Sequence, residues 1–369
     1  MISVEVVYQF DALIPEWEAL AEAVGAPPFL GPDWIAVHSS AFDAARLAVG
    51  VVRRDGRLAA VLPLALSGDT GRSLTSAQTP QFGLVTDDAE LAGHVIGAFT
   101  GLGISRLVLS YVDRDDPLVG ALRRQSTARG QRLVERVMLR SPFVRVDGTL
   151  DDYRSRLSSS FRADLRRRDR RLAERGDVKF EVCGGSDGLE EMLAQGWLLE
   201  AAGWKGALGT AVAAHPSTRR FYAEIARRAA ARDRLRLYFL RLDRSPIAFY
   251  FGLEQQRILY LLKGGFDPAY ARFSPGMLLM ERLIARAFEG GLDRIELLGG
   301  NEPHKLRWTS SSHERLSLQS FARSPVRTAQ WAALAYARPL ALRVGLDRAF
   351  RAARDRARVA LTAVRAGRS

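Results

Sequence analysis

A chain of 369 residues with 47% hydrophobic and 26% charged residues has the composition of a globular protein with more than one core, neither disordered nor fibrous. Cys183 is the only cysteine, and the five histidines show no HxxxH-type spacing, so neither a disulfide framework nor a metal centre is expected. The net charge of +13 invites a nucleic-acid partner, but residues 326–369 hold ten Arg against only Asp347 and Asp355; the excess is largely a property of the tail, and nucleic acid is not the expected partner.

The first twenty residues carry Glu5, Asp11, Glu16 and Glu18 among apolar ones, unlike a signal peptide. No apolar run approaches the roughly 18 residues of a spanning helix, so a reducing cytoplasm is the expected compartment. Leu47 to Arg53 and Leu58 to Leu66 read as strands around an Arg54-Asp55-Gly56-Arg57 hairpin turn. Helices are expected near 88–101 and 116–129, separated by a strand from Arg106 to Tyr111, and Leu133 to Leu139 closes the set. Next, Tyr153, Leu157, Phe161, Leu165 and Leu172 fall on one helix face, with Arg162, Arg166, Arg167, Arg170 and Arg171 opposite. Such a charge run is either a solvated face or a surface for phosphate or an acidic substrate.

The clearest architecture lies between 235 and 300. Leu235 to Leu242, Ile247 to Leu253 and Ile258 to Leu262 read as three strands joined by short turns, an antiparallel meander. Ser274-Pro275-Gly276 opens a helix, with Ser as N-cap and Pro at the first helical position. Apolar residues recur at helical spacing to Phe288, and Gly290-Gly291 stops the helix. Arg294 to Leu298 is then a strand, and the crossover helix permits it to pair in parallel. The segment 47–140 repeats this order of meander, helix and strand more weakly; two unrelated α/β units are the alternative. From Leu340 onward Leu342, Leu346, Ala349, Phe350, Ala353, Ala357 and Leu361 recur at steps of three and four, with arginines around the rest of the circumference. This basic amphipathic helix either packs on the body or lies on an anionic membrane surface.

Three segments can carry chemistry. In 260–276, YLLKGGFDPAYARFSPG, a strand runs through a loop to a fresh helix N-terminus, which attracts phosphate; Gly276 admits close approach and Arg272 is a nearby cation. In 296–308, ELLGGNEPHKLRW, Glu302, His304 and Lys305 offer a base, a proton shuttle and a cation within four residues. Trp308 reads as a core aromatic or a substrate platform. In 200–209, EAAGWKGALG, Trp204 and Lys205 sit between glycines, either as a ligand contact or as a plain helix end. Of the four lysines in the chain, Lys205, Lys263 and Lys305 lie in these three segments and Lys179 in an ordinary strand.

As an ordered set these segments, WKG with FY about a dozen residues on, then LLKGGFDPAYARFSPG, then LLGGNEPHKLRW, resemble the CelD-like (BioF2-like) acetyltransferase domain. That group belongs to the GNAT superfamily of N-acetyltransferases and is related to the FemAB peptidoglycan transferases. The likeness runs from about Leu157 to Phe321, and more vaguely includes FLGPDW (29–34) and DGRLAAVLPL (55–64). It implies an α/β (α+β) fold of tandem GNAT-like domains, each a mixed, mostly antiparallel sheet flanked by helices. The expected division is 1–148, 149–325 with the chemistry, and a basic helical tail, 326–369. It further implies that acetyl-CoA or another acyl-CoA is co-substrate without a metal, held by Leu262, Lys263, Arg272, Ser274, Pro275 and Gly276. The superfamily's usual Q/R-x-x-G-x-G/A loop here runs from Ala271 to Gly276, and only the last glycine matches. Glu302, His304 and Tyr260 are the candidate catalytic residues, and Trp204, Lys205, Lys305 and Trp308 the candidate substrate contacts. The implied reaction is N- or O-acylation of a small or lipid-linked sugar acceptor; the expected peripheral membrane contact comes from the basic tail, which lies outside the resemblance. The FemAB alternative implies an aminoacyl-tRNA donor; the coiled-coil arm frequent in FemAB proteins has no counterpart here. A third alternative is a non-catalytic protein binding nucleic acid or a membrane surface.

Overall fold

A computed structural model describes residues 1–42, 46–76, 78–203, 209 and 211–337. Trp204, Lys205 and the tail beyond residue 337, with the amphipathic helix expected from Leu340, lie outside the described residues. The first half runs β1 (Ile2–Val7), α1 (Ile14–Ala23), α2 (Pro32–Phe42), β2 (Arg46–Arg54), β3 (Arg57–Ser67), β4 (Thr70–Ser73), β5 (Val85–Thr86), α3 (Ala92–Gly101), β6 (Arg106–Asp113), α4 (Pro117–Arg129) and β7 (Arg132–Arg145). The second runs α5 (Leu150–Arg156), α6 (Ser159–Ala173), β8 (Val178–Cys183), α7 (Leu189–Ala202), α8 (Pro216–Ala231), β9 (Leu235–Leu242), β10 (Ser245–Gln255) and β11 (Ile258–Phe266). It continues with α9 (Pro275–Glu289), β12 (Arg294–Glu296), α10 (Pro303–Leu306), β13 (Ser312–Phe321) and α11 (Pro325–Ala332).

Local chemistry accounts for most of these boundaries. The β2–β3 hairpin turns on Asp55 and Gly56, both at positive φ, the conformation whose twist matches the flanking strands. The helix expected through Tyr153 to Leu172 is two helices: Leu157 is extended, and the Ser158 hydroxyl accepts the Phe161 N–H to start α6 afresh. The strand expected to reach Leu298 stops at Glu296, because Leu298 sits at φ 53° and cannot continue a ladder. Conversely β7 and β11 run further than their apolar alternation, to Arg145 and Phe266.

Among the described residues one mixed, mostly antiparallel sheet runs β1-β2-β3-β4-β6-β13-β7-β12-β11-β10-β9-β8, with β5 paired to β3. Only β4–β6 and β11–β12 pair in parallel within it, each behind a crossover helix as such pairing demands. Each half lends a strand to the other. β13 lies between β6 and β7, hydrogen-bonded to both, while the end of β7 lies against β12, Phe143 opposite Glu296. Leu316 and Leu318 of β13 are accordingly fully buried in the core that α3 and α4 cover in the first half.

In the second half α6 and α9 cover one face of the sheet, over Leu259, Leu261 and Ile295. The other face carries α7 and α8, and α2 of the first half joins them. Phe29, Trp34 and Val37 there share a core with Trp197, Phe221, Phe251 and Tyr260. Arg228 of α8 pairs with Asp33 at 2.8 Å, and Arg232 with Glu18 at 2.5 Å, so the contact between halves is rimmed by charge around an aromatic centre.

Candidate active site

The parallel strands β11 and β12 pair for only three residues, Ile258 with Arg294, Leu259 with Ile295 and Tyr260 with Glu296. Beyond Tyr260 and Glu296 they part, because Leu298 turns β12 away while β11 continues to Phe266. In the same stretch the β10–β11 register slips: Gly252 faces Leu261 and Phe251 faces Lys263, leaving Leu262 as an extra residue. A bulge of this kind re-aims backbone groups and side chains beside a site. An edge of β11 thus leaves its pairing with β12 just where its backbone is bulged.

The corresponding place in the first half is filled. The strands β4 and β6 pair over Thr70–Arg72, but there the Ser73 hydroxyl accepts the Ser110 N–H at 3.0 Å and Phe82 bridges to Val112. The opening belongs to the second half.

At its outer end the opening meets the start of α9. Pro275 is its first residue, and Ser274 adopts a left-handed conformation at φ 50°. The Ser274 side chain does not cap the helix as its sequence position suggests. Its hydroxyl accepts instead from Arg168 Nη1 of α6 at 2.7 Å, and the same guanidinium reaches the Arg272 carbonyl at 2.9 Å. A cavity of about 280 Å³ lies beside this turn, lined by Arg167, Arg168, Arg171, Arg175 and Arg272 with Glu174. Arg167 and Arg171 of the basic face of α6 thus adjoin the helix start expected to hold phosphate. Around Gly276 there is room, since a Cβ there would meet only Phe266, at 3.7 Å.

Other candidate residues are distributed less simply. Lys263 is half-buried on β11, its Nζ 5.3 Å from the centre of the buried Tyr222 ring, and Leu262 packs on the aromatic core. Glu302 and Lys305 form an ion pair at 2.7 Å, and Lys305 also donates to the Leu298 carbonyl at 2.7 Å. Burial pushes the Glu302 carboxyl up, but the Lys305 hydrogen bond and charge outweigh it and hold the group below the usual range. That makes Glu302 a weaker proton acceptor than an isolated carboxylate and a tie for the loop beside the opening. His304 is exposed on α10.

Tyr260, expected near the chemistry, is 4% exposed with its ring edge-on to Phe29 at 5.4 Å. Burial, with Glu296 nearby, pushes its phenol far above the usual value, which keeps it protonated within the aromatic core. Trp308 is not a substrate platform: it is buried on the opposite face under α6, 4.8 Å from Phe161.

Sequence reading missed a charged cluster at the apex of the opening. Glu296, the last residue of β12, has a side chain 3% exposed; its Oε1 is 3.1 Å from His313 Nε2 of β13 and 2.7 Å from Arg294 Nε. The His313 ring stacks on Phe143 at 4.3 Å, and Arg315, also on β13, is ion-paired to Asp113 of β6. These residues are up to about 200 apart in sequence, and only the exchange of β7 and β13 assembles them. Among the described residues no group of acidic, His or Cys side chains is arranged to hold a metal, and no helix is long and apolar enough to cross a membrane.

Residues 159–306 match a family model described as an acetyltransferase (GNAT) domain. No curated protein matches the chain. Among solved structures, FemX superposes with a TM-score of 0.59 at 11% identity, over 89% of this chain and 100% of that one. The C-terminal domain of a protein assigned as a lysylphosphatidylglycerol synthetase from Agrobacterium fabrum gives 0.55 at 13% identity, over 88% and 96% of the two chains. L-PGS from Bacillus licheniformis gives 0.51 at 13% identity, over 86% and 95%. At such identities the likeness is one of fold.

Proposed function

We propose that this chain, whose residues 159–306 match a family model described as an acetyltransferase (GNAT) domain, moves an acyl group, acetyl in the first instance, from acyl-CoA to an amine or hydroxyl. The acceptor we propose is a sugar or envelope-polysaccharide precursor, small or lipid-linked, met in the cytoplasm or at the inner membrane face. One observation carries the donor reading: the bulged, parted edge of β11 leads to a helix start ringed by arginines.

An extended pantetheine arm would lie along β11 as an added strand, in the place that β12 leaves. Backbone N–H groups at the Leu262 bulge would polarise the thioester carbonyl as negative charge develops on it. The start of α9 and the arginines about Arg272 would neutralise the phosphates. The acceptor nitrogen or oxygen then attacks the carbonyl carbon, the C–S bond breaks, and the sulfur leaves as thiolate while the acceptor's proton passes to a base. Transfer is direct in this scheme. Cys183 is on β8, three strands away from β11 at the sheet edge, and burial pushes its thiol up, which disfavours it as a nucleophile.

A second reading, an aminoacyl-tRNA donor, draws support from the same arginines, which would also meet nucleic-acid phosphates. Calorimetric titration of the full chain with acetyl-CoA, and separately with tRNA at the same salt, separates the two. Saturable acetyl-CoA binding that tRNA does not displace is the expected result. Binding of tRNA alone would overturn the acyl-CoA reading.

A further inference from the structure

We propose that His313 is the general base of this transferase and that Glu296 orients it, an inference that rests on the acyl-transfer reading above. Tyr260 and Glu296 are the last partners across β11 and β12, so their side chains leave the same face of the sheet. That face carries α2, α7 and α8, opposite α9. Glu296 therefore stands where the two strands part, two residues along from the Leu262 bulge. His313 reaches back across β7 to meet it at 3.1 Å, which brings the imidazole within about two strand spacings, roughly 10 Å, of β11.

The pair is built as a base and its orienting group are built. The carboxylate is inside, 3% exposed, and the imidazole is at the surface, 24% exposed. Stacking on Phe143 at 4.3 Å and 20° fixes the ring plane. With Nε2 facing the carboxylate, that nitrogen carries the hydrogen and Nδ1 is left to take the acceptor's proton. The charged and titratable groups of the surrounding elements are Glu296, which meets the ring, Arg294 of β12 and Arg145 of β7 over Phe143, the Arg315–Asp113 pair of β13 and β6, and Tyr260 of β11 near Glu296. A purely structural ion pair would satisfy its buried atoms. Here Glu296 Oε2 and Arg315 Nε, both on residues 2% exposed, lack hydrogen-bond partners among the described residues, which marks a polar site completed by something that binds.

Hydrolysis of acetyl-CoA, with water as the acceptor, tests the assignment without knowledge of the natural acceptor. Water attacks the carbonyl carbon and gives its proton to His313, the C–S bond breaks, and the thiolate that leaves is counted as free thiol. H313A is expected to release thiol about 100-fold more slowly, with acetyl-CoA affinity by calorimetry unchanged and partial recovery on adding imidazole. H313Q, which keeps the ring's volume more closely, guards against a folding defect and is expected to behave alike, without rescue. E296Q should lower kcat while leaving KM and donor affinity in place. If acetyl-CoA binds and both His313 variants match the wild type, or the wild type releases no thiol, the assignment is overturned. If acetyl-CoA does not bind the wild type at all, the donor reading itself fails and takes this inference with it.

Discussion

At Gly276 a single atom separates tolerance from interference. A Cβ there meets only Phe266, in ordinary contact, so alanine fits while a carboxylate would face whatever phosphate the start of α9 attracts. Gly276→Asp is expected to weaken acetyl-CoA binding about tenfold in calorimetry with an unchanged melting temperature, and Gly276→Ala to do neither. His38 of α2 lies at the contact between halves, its Nε2 3.2 Å from Ser76 Oγ and its ring near Phe42 and Phe221. Burial pushes its imidazole down to about 4. A depressed histidine contributes stability above its unfolded value of about 6.5 and loses it as pH falls through the folded one. The urea midpoint should therefore fall between about pH 6.5 and 4, and less steeply in H38Q. The segment proposed to meet phosphate was legible in the sequence because strand, loop, Ser-Pro-Gly and helix are consecutive. The Glu296–His313 pair was not, because no local spacing records a contact made across an intervening strand, β7, from the other half of the chain.

Elements with short connections were the readable ones. The meander β9-β10-β11 and the crossover through α9 follow from turns and periodicity alone, and β12 pairs in parallel as the crossover predicts. What periodicity could not give is partnership. β13 alternates like any strand, yet its neighbours, β6 and β7, come from the other half. Nor could it give the break between α5 and α6, where the apolar stripe continues across Leu157 but a hydroxyl at Ser158 restarts the backbone. Shared strands also predict shared stability. Leu318→Ala, at a fully buried position of β13, should cost about 2–5 kcal/mol. Circular dichroism and the fluorescence of Trp17, Trp34, Trp197 and Trp308, which lie in both halves, should still report one coincident urea transition. Separate transitions for the two halves would contradict the coupling.

For the molecule as a whole, charge is placed unevenly: many arginines of the described body are ion-paired to carboxylates, whereas residues 326–369 hold ten Arg against two Asp. We propose that this tail meets an anionic membrane, each cation near the surface contributing about 1 kcal/mol, which would bring the transferase beside lipid-linked acceptors. The full chain should co-sediment with phosphatidylserine-containing vesicles at low salt, and a chain ended at residue 337 should not. Ending there keeps Arg327 of α11 and its ion pair with Asp69. Equal, negligible sedimentation of both would remove the membrane role, and a lowered melting temperature of the shortened chain would favour a packed helix.

The reciprocal loan of β7 and β13 also has a consequence in time. A ribosome delivers the chain from its amino end, and by the moment β7 emerges the first half has every strand of its sheet except the one that belongs between β6 and β7. That slot stays vacant until residues 312–321 are made, after the whole region proposed to bind the donor has passed. The first half therefore cannot finish before the second, as it would in a string of independent modules, and the nascent chain carries two unsatisfied strand edges from the end of β7 until β13 is made. Among the described strands β13 arrives last, and its insertion between β6 and β7 completes the sheet of the first half.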